Sequence, residues 1–416
     1  MDETLRQALG LFKAVCLEGP KWCGKTWTGV KHSHSQFFIG DPQGNFAHRE
    51  LARSDPAFAL KGEAPRLLDE WQEVPALWDA VRFSVDQRVE SGQFILTGSA
   101  TPRFKGITHS GTGRIALLKM QTMSLYESGI SNGAVSLQSL FDGNADLPAQ
   151  VTPLGIEELA ELVVRGGWPG NLTTPAAHCG ALPQMYIENV LRDDLLRLDA
   201  PRIDGGKMRQ LLRSLARNES TASGVATLKR DLNEQDGISL DEKTIKSYLT
   251  ILNQLFLIEN QPSFATALRS PVPIKNKAKL HLCDPSLACA LLGAGVERLL
   301  SEPKTLGFMF EALVERDLRI YASYLGGELL HYQDYKGREI DAVLRLPDGR
   351  WGAFEIKLGN DKADLAALSL RKTASSIAPE GSPEYPSLLA VICGTAPFAY
   401  RRDDGVYVLP PGVLKP

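Results

Sequence analysis

Gly19-Pro-Lys-Trp-Cys-Gly-Lys-Thr26 is the stretch of this chain with the strongest bearing on its architecture. It matches the pattern G-x-x-x-x-G-K-[ST], typical of a phosphate-binding loop, at every fixed position. Residues 14–17 before it form a short apolar run that predicts a buried strand, and a helix can begin at Thr26. The order strand, loop, helix is the one that phosphate binding requires. The sequence therefore predicts a nucleotide-binding α/β domain.

The fixed positions of this loop pattern each have a chemical role in phosphate binding. Gly19 and Gly24 permit backbone angles and close approach that a side chain would obstruct, so that N–H groups can point at phosphate oxygens. Lys25 is expected to reach the β and γ phosphates, and Thr26 to ligate Mg2+. A glycine-rich turn with an unrelated lysine is the alternative interpretation. The other predicted cofactor-binding residues of the loop are Pro20, Lys21, Trp22 and Cys23.

Two further apolar runs end in polar residues. Arg66-Leu-Leu-Asp-Glu70 ends in two carboxylates, and we expect Asp69 to hold the Mg2+ shell and Glu70 to orient and deprotonate the attacking water. Phe94-Ile-Leu-Thr-Gly-Ser99 ends in hydroxyls placed where a sensor of the γ-phosphate would follow. Thr97 and Ser99 are both candidates for that sensor. Taken alone, either run could be a solvated strand end.

The succession GPKWCGKT, LLDEWQEVP, ILTGSATP and SGTGRIALLKM resembles AAA+-type ATP-binding proteins of bacteria and archaea. More narrowly, it resembles those whose ATPase is followed by a C-terminal domain of unknown function. The resemblance implies an AAA+ core over residues 1–140 and a helical lid over 141–204. It also places Arg114 in the zone of the arginine finger, acting on its own nucleotide or on that of a neighbouring subunit. An arginine that merely anchors a loop is an equal alternative.

Residues 205–300 are expected to form a winged helix-turn-helix. Helical spacing of apolar residues predicts three helices, and Ser239 or Asp241 can cap the third. The segment LKRDLNEQDGISLDEKTIKSYLTILNQLFLIE also resembles the corresponding segment of the family. Lys243 and Lys246 lie on one face of the third helix and could meet DNA phosphates. Winged helices also serve as protein-packing modules, and two lysines are typical of an ordinary solvated face. The alternating Lys275, Lys277 and Lys279 could lie on a protected edge strand.

The C-terminal residues 301–416 carry a second motif. The spacing of Asp341, Glu355 and Lys357 resembles the PD-(D/E)xK nuclease superfamily, and a turn centred on Asp348 would place the two carboxylates opposite each other on a hairpin. A divalent metal, Mg2+ or Mn2+, would compensate clustered acids at Asp341 and Glu355, with Lys357 stabilising developing charge. Glu311, on a preceding helix, could complete the shell. A solvated hairpin with an ordinary Glu–Lys pair is the alternative.

Charge, cysteine spacing and hydrophobicity limit the possible partners, cofactors and cellular location of the protein. The 416 residues carry a net charge of -3, but residues 201–280 hold 13 Lys and Arg against 8 Asp and Glu, a local excess that points weakly to a polyanion. Six scattered cysteines without CxxC spacing predict buried free thiols. The start of the chain lacks the features of a signal peptide, and no run of about eighteen apolar residues occurs, so we expect a cytoplasmic protein without a membrane partner.

The overall prediction is an α/β protein with a P-loop (AAA+) parallel-sheet ATPase, a helical lid, a winged helix-turn-helix and a restriction-endonuclease-like domain. Its function would be ATP hydrolysis coupled to action on DNA, with metal-dependent cleavage and a role in defence against foreign DNA. One alternative is an ATP-dependent switch for a protein partner with a non-catalytic C-terminal module. Another is a DNA-binding regulator. Assembly into a homo-oligomer is left open.

Overall fold

Alternating apolar strands and helices build a parallel β-sheet at the N-terminus of the computed structural model, which describes residues 1–99, 110–195, 203–265 and 277–416. The chain divides into two units, Met1–Thr122 with Thr250–Leu257 and Met123–Leu249 with Ile258–Pro416. The strands of the first unit are β1 Ala14–Glu18, β2 Ser35–Phe38, β3 Arg66–Asp69, β4 Phe94–Gly98 and β5 Ile115–Lys119. Its first five helices are α1 Asp2–Leu11, α2 Lys25–Lys31, α3 Gln43–Ser54, α4 Pro56–Ala59 and α5 Ala76–Asp86.

The five strands are parallel and lie in the order β2-β3-β4-β1-β5. Ala14 and Cys16 pack in an apolar cluster on one face, while Val15 and Leu17 pack in a cluster on the other. A parallel sheet covered on both faces needs strands that are apolar throughout, which explains the run at residues 14–17. The α/β prediction for this part of the chain is confirmed. The carboxyl ends of β1, β3 and β4 meet at one edge of the sheet.

The second unit begins at Met123, ahead of residue 140 where the predicted ATPase core ends. Its first elements are β6 Val135–Ser136, α6 Leu137–Phe141, β7 Ala149–Gln150, α7 Ile156–Arg165 and α8 Ala181–Asn189. The helices α7 and α8 lie in the segment predicted as a lid. Both short strands pair with the end of the chain, because β6 is parallel to residues 414–415 and β7 is antiparallel to residues 398–399.

The three helices predicted after residue 205 are present, as α9 Gly205–Arg217, α10 Val225–Asp236 and α11 Glu242–Gln254. Asp241 caps α11, since the backbone N–H of Thr244 donates to its Oδ1 over 2.6 Å. An antiparallel hairpin follows, made of β8 Ile258–Gln261 and β9 Lys279–Leu282. Lys275 lies outside the described residues.

The C-terminal part begins with three helices, α12 Pro285–Leu292, α13 Val296–Ser301 and α14 Pro303–Tyr324. The elements that follow are β10 Glu328–Gln333, β11 Glu339–Arg345, β12 Trp351–Lys357, α15 Ala363–Ile377, β13 Leu388–Cys393, β14 Phe398–Arg401, β15 Tyr407–Leu409 and β16 Leu414–Lys415. The strands β10 to β15, together with β7 from the earlier segment, build a mixed sheet in the order β10-β11-β12-β13-β15-β14-β7. Phe264, Val343 and Leu370 belong to an apolar cluster that packs on this sheet.

All six cysteines lie in the described ranges, where each is buried and forms no disulfide, as predicted. Every helix within the described ranges is too short or too polar to cross a lipid bilayer.

Candidate functional site

The phosphate-binding pattern forms a tight loop between β1 and α2. Gly24 precedes the helix with φ 103°, a left-handed conformation that glycine adopts without strain. A Cβ atom on Gly19 would lie 2.1 Å from the carbonyl oxygen of Met120, so a side chain is excluded there. Of the intervening residues, Cys23 is buried, whereas the indole of Trp22 is half exposed. The two glycines are therefore required by the path of the backbone.

Lys25 lies inside this loop and is almost fully buried. Its ammonium group donates hydrogen bonds to the carbonyl oxygens of Gly19, over 3.0 Å, and of Pro20, over 2.7 Å. Carbonyl oxygens are weaker partners for an ammonium group than phosphate oxygens are. The loop thus holds its cation at the position where a phosphate would be received.

Asp69 ends β3 beside this loop and collects two hydroxyl groups. The Oγ1 of Thr26 donates to Asp69 Oδ1 over 2.8 Å, and the Oγ1 of Thr97 donates to the same oxygen over 2.6 Å. Hydroxyl and carboxylate oxygens are the ligands that Mg2+ prefers. The donor set of Thr26 and Asp69 therefore fits a magnesium ion held together with nucleotide phosphates.

Glu70 follows Asp69 with φ 59° and ψ 43°, a left-handed conformation that is costly for a residue with a side chain. Its Oε2 accepts hydrogen bonds from Ser99 Oγ, over 3.3 Å, and from the amide of Gln72. Its backbone N–H donates to Thr97 Oγ1 over 3.3 Å. The two sensor candidates therefore contact different carboxylates: the hydroxyl of Thr97 donates to Asp69, while that of Ser99 donates to Glu70.

Gln72 is a residue that the sequence analysis missed. In the sequence, Gln72 is distinguished only by its position two residues after Glu70. Outside a regular helix or strand, this spacing does not predict that the Gln72 amide contacts the Glu70 carboxylate.

Arg114 lies away from the loop of its own chain. It directly precedes β5, and Ile115 pairs with Ala14 at the amino end of β1, whereas the loop follows the carboxyl end. Five strand residues at about 3.3 Å each separate the two edges by about 15 Å. The Nε of Arg114 donates to Asp86 Oδ1 over 3.0 Å on an exposed surface. This placement is incompatible with direct contact between Arg114 and a nucleotide in its own loop. Action on a neighbouring copy and a purely structural role, anchoring its loop through Asp86, both stay open.

The C-terminal hairpin has the predicted register. Ala342 pairs with Phe354 and Arg345 with Trp351, so the ladder is symmetric about residue 348 and brings Asp341 opposite Glu355. Lys357 Nζ lies 2.8 Å from Glu355 Oε1 and 3.4 Å from Asp341 Oδ2.

Asp341 and Glu355 differ in their surroundings. The backbone N–H of Ile356 donates to Asp341 Oδ2 over 2.8 Å. Burial, reinforced by the charge of Asp341, raises the pKa of Glu355 to about 7.

Glu311 on α14 has a partner that the sequence analysis did not anticipate. The ammonium group of Lys279, from β9, donates to Glu311 Oε1 and to Glu315 Oε1, each over 2.9 Å, and to the carbonyl oxygen of Asp341 over 3.2 Å. Burial disfavours the charged form of Lys279, but Glu315 and Glu311 outweigh it and raise the pKa of the lysine above its ordinary value. The suggestion that Lys279 protects an exposed edge is wrong, because its side chain is 9% exposed.

The carboxylates of this C-terminal cluster do not fit a metal ion as they are placed. Lys357 bridges Asp341 and Glu355, and Lys279 neutralises Glu311. Across the described ranges, no three His, Cys, Asp or Glu residues are grouped so that they could hold a metal. The negative charge of the clustered carboxylates is compensated, as expected, but by the ammonium groups of Lys279 and Lys357 and not by a metal ion.

Comparison with protein families divides the chain into three segments. Residues 11–129 match the AAA domain family. This segment is an AAA+-type P-loop ATPase domain. Residues 156–298 and 306–412 match two domains of unknown function, DUF8612 and DUF4143.

Relatives match most of the chain. Uncharacterised proteins of Mycobacterium bovis and Mycobacterium tuberculosis are each 27% identical over 362 residues, which are 85% of this chain and 72% of each relative. Among solved structures, a Walker-type ATPase of Pyrococcus abyssi has a TM-score of 0.42 at 13% identity and covers 70% of this chain and 94% of its own. The ORC2 protein of Aeropyrum pernix has a TM-score of 0.27 at 15% identity, covering 73% and 91%.

Proposed function

We propose that the AAA+-type domain binds ATP with Mg2+ and hydrolyses it. The observation that carries this proposal is the convergence of the Thr26 and Thr97 hydroxyl groups on one oxygen of Asp69, at the sheet edge where the loop holds Lys25. Three strands deliver these groups to one edge, and such convergence at the carboxyl ends of parallel strands is how α/β proteins build ligand sites.

The residues divide the chemistry between them. Lys25 exchanges its two carbonyl partners for the β and γ phosphates, and Thr26 and Asp69 hold Mg2+, which neutralises phosphate charge when bound. Glu70 orients the attacking water and accepts its proton. Gln72 and Ser99 fix the carboxylate of Glu70, so that it does not need to reorganise at the moment of reaction.

Phosphate release from ATP by the purified chain, with and without Mg2+, tests this proposal. We expect Mg2+-dependent turnover. Tight ATP binding without turnover would favour the switch alternative, and absence of ATP binding would contradict the proposal outright.

For the C-terminal part we propose a PD-(D/E)xK-like domain that acts on DNA. Cleavage of phosphodiesters with Mg2+ or Mn2+ would require Lys279 and Lys357 to release the carboxylates that they contact in this structure. The specific support is the hairpin, where Asp341 opposes Glu355 and Lys357 contacts both. The order helix, three antiparallel strands, helix and parallel strand, from α14 to β13, is consistent with such a domain.

We further propose that residues 205–300 form a winged helix that contacts DNA. The support is the succession of α9, α10 and α11 followed by the β8–β9 hairpin, with Lys243 and Lys246 exposed on α11. A non-catalytic C-terminal module that binds a protein partner is the alternative.

Incubation of plasmid and linear DNA with the full chain, with or without ATP and Mn2+, separates these possibilities. Cleavage supports the nuclease proposal, whereas salt-dependent binding without cleavage supports a regulator.

A further inference from the structure

Two tryptophan side chains lie at the protein surface beside the phosphate-binding loop. Trp22, within the loop, is 49% exposed, and Trp27, directly after Thr26 on α2, is 83% exposed. The other four tryptophans of the chain are buried: Trp71, Trp78, Trp168 and Trp351. A tryptophan has a large apolar surface, so leaving two of them in solvent at one site forgoes stabilisation that the other four obtain.

The backbone of Trp22 has an unusual conformation. Its φ is 63°, in the left-handed region that is unfavourable for a residue with a Cβ atom. Residues held in such conformations are most frequent at active sites and ligand clamps. A glycine at this position would adopt the same φ without strain. An indole here therefore carries a conformational cost that a glycine would avoid, which points to a role for the ring.

The exposure of Trp27 follows from the packing of α2. A Cβ atom on Gly29 would lie 2.7 Å from Leu67 Cδ1, so the Gly29 side of the helix packs on β3. Two residues correspond to about 200° around a helix axis, so Trp27 lies on the side away from the sheet. Its Cα is nevertheless about 3.8 Å from that of Thr26, because the two residues are adjacent in the chain. Trp27 is thus at the rim of the proposed phosphate site.

We propose that Trp22 and Trp27 bind the nucleoside part of the nucleotide, with a purine base stacked on their indole rings. This inference rests on the proposed binding of ATP by the loop. When Lys25 and Thr26 hold the terminal phosphates, the ribose and the base have to leave the loop along its rim. The two exposed indoles flank these residues in the chain, at the positions that such a nucleoside passes.

Stacking also predicts which nucleotides bind. An aromatic ring contacts the face of a base and not its hydrogen-bonding edge, so stacking tolerates different bases. We therefore expect ADP and GDP to bind with similar affinity. CDP should bind more weakly, because a pyrimidine covers less of an indole than a purine does.

Binding of ADP and of inorganic pyrophosphate to the full chain, each with Mg2+, isolates the contribution of the nucleoside. Both ligands carry the phosphates that the loop would hold, and ADP alone carries a base. Isothermal titration calorimetry gives the ratio of the two dissociation constants. A stacked base contributes about fivefold to about hundredfold in affinity. We expect Trp27→Ala to lower the preference for ADP by about fivefold or more and to leave the affinity for pyrophosphate within about twofold of wild type.

Two further variants and a control accompany it. Trp22→Ala should act in the same direction, and where it also weakens pyrophosphate binding by disturbing the loop, Trp27→Ala decides alone. Trp27→Phe keeps an aromatic face and should retain most of the preference for ADP. Phe83→Ala is the matched control, because Phe83 is an exposed aromatic residue on α5, outside the loop and α2, and both affinities should be unchanged.

Collisional quenching of tryptophan fluorescence by acrylamide supplies a second readout. The four buried tryptophans are shielded from the quencher, so the accessible signal reports Trp22 and Trp27. ADP should protect this signal, whereas pyrophosphate should not.

An unchanged ratio of ADP to pyrophosphate affinity in Trp27→Ala, or quenching that is insensitive to ADP, would overturn the inference and leave phosphate binding by the loop standing. The inference is also overturned if Trp27→Ala alters the assembly state in analytical ultracentrifugation but not the ratio, since the ring then contacts another copy of the chain. Absence of binding by both ligands would overturn the proposed ATP binding as well.

Discussion

Thr97 donates a 2.6 Å hydrogen bond to the carboxylate of Asp69, whereas the hydroxyl of the neighbouring candidate Ser99 donates to the carboxylate of Glu70. We therefore expect the two hydroxyl groups to serve different steps of the proposed ATP hydrolysis. We expect Thr97→Val to weaken binding of ATP with Mg2+ by about tenfold or more, because a hydrogen bond to a charged group contributes about 1.5–3 kcal/mol. Ser99→Ala should leave that affinity unchanged and lower turnover only. Titration with a fluorescent ATP analogue, paired with phosphate release, distinguishes them; identical behaviour of the two variants would contradict the division.

Substitutions at Lys25 and Glu70 should differ in their effects on ATP binding and on turnover. Lys25→Ala should abolish hydrolysis and weaken ATP binding, since the loop loses its buried cation. Glu70→Gln should retain ATP binding but reduce turnover by about 10²–10⁴-fold, because an amide cannot accept the proton of the attacking water. Equilibrium binding and single-turnover hydrolysis supply the two measurements. Loss of ATP binding in the Glu70 variant would mean that its carboxylate has a structural role.

If Arg114 is an arginine finger, it acts on a neighbouring copy, because it lies at the opposite edge of the sheet from its own loop. Mixing Arg114→Ala protein with Lys25→Ala protein should then restore part of the hydrolysis that each lacks, because a mixed interface pairs an intact loop with an intact arginine. Native mass spectrometry establishes that mixed assemblies form, and phosphate release measures the rescue. Mixed assemblies without rescue would assign Arg114 to its surface ion pair with Asp86.

Local patterns predicted the hairpin, whereas contacts between distant segments escaped prediction. The register of this hairpin depends only on the 17 residues from 341 to 357, through the turn around Asp348 and the alternation of the flanking residues. The observed pairing of β11 with β12 confirms the predicted register. Lys279 donates hydrogen bonds to Glu311 and to the carbonyl oxygen of Asp341, which lie 32 and 62 residues away in the sequence. The sequence around residue 279 contains no pattern that predicts these contacts. The pairing of residues 149–150 with residues 398–399 is equally remote in sequence.

The orientation of Arg114 also escaped prediction. It depends on β5 running parallel to β1 at the edge of the sheet, and sequence order does not reveal strand order.

Glu355 makes the stability of the protein depend on pH. Its pKa is raised from 4.5 to about 7 by burial and by Asp341, so between these values the folded state binds a proton that the unfolded state has released. Its contribution to the free energy of unfolding is thus largest at low pH and is lost as pH rises to about 7. Relative to Glu355→Gln, the parent should lose about 1–3 kcal/mol between pH 5 and pH 8.

Urea unfolding of both proteins at four pH values measures this difference. His281 and His331, whose pKa values burial lowers to about 4, impose an opposite trend, but it is common to both proteins and cancels. A difference that stays constant from pH 5 to pH 8 would mean that Glu355 is ionised throughout.

The hairpin residues should separate DNA cleavage from ATP hydrolysis. Asp341→Ala, Glu355→Ala and Lys357→Ala are each expected to abolish cleavage and to leave basal ATP hydrolysis largely intact, because Lys25, Thr26, Asp69 and Glu70 belong to a different unit of the chain. Loss of either carboxylate should also weaken divalent-ion binding, whereas loss of Lys357 should spare it and remove a positive charge needed in the transition state. Arg345→Ala, on the same strand as Asp341 but paired on the surface with Glu328, is the matched control.

These assays require the full chain, since a fragment beginning at residue 300 would lack β6 and β7, which pair with β16 and β14. Plasmid nicking, phosphate release and Mn2+ binding are measured on the same preparations. If the wild-type protein cuts no DNA across a range of ions and nucleotides, and Asp341→Ala and Glu355→Ala leave its divalent-ion binding unchanged, the hairpin is not a nuclease site. Its buried ion pairs then stabilise a binding module, and the three alanine variants should lower the free energy of unfolding by several kcal/mol without any catalytic phenotype.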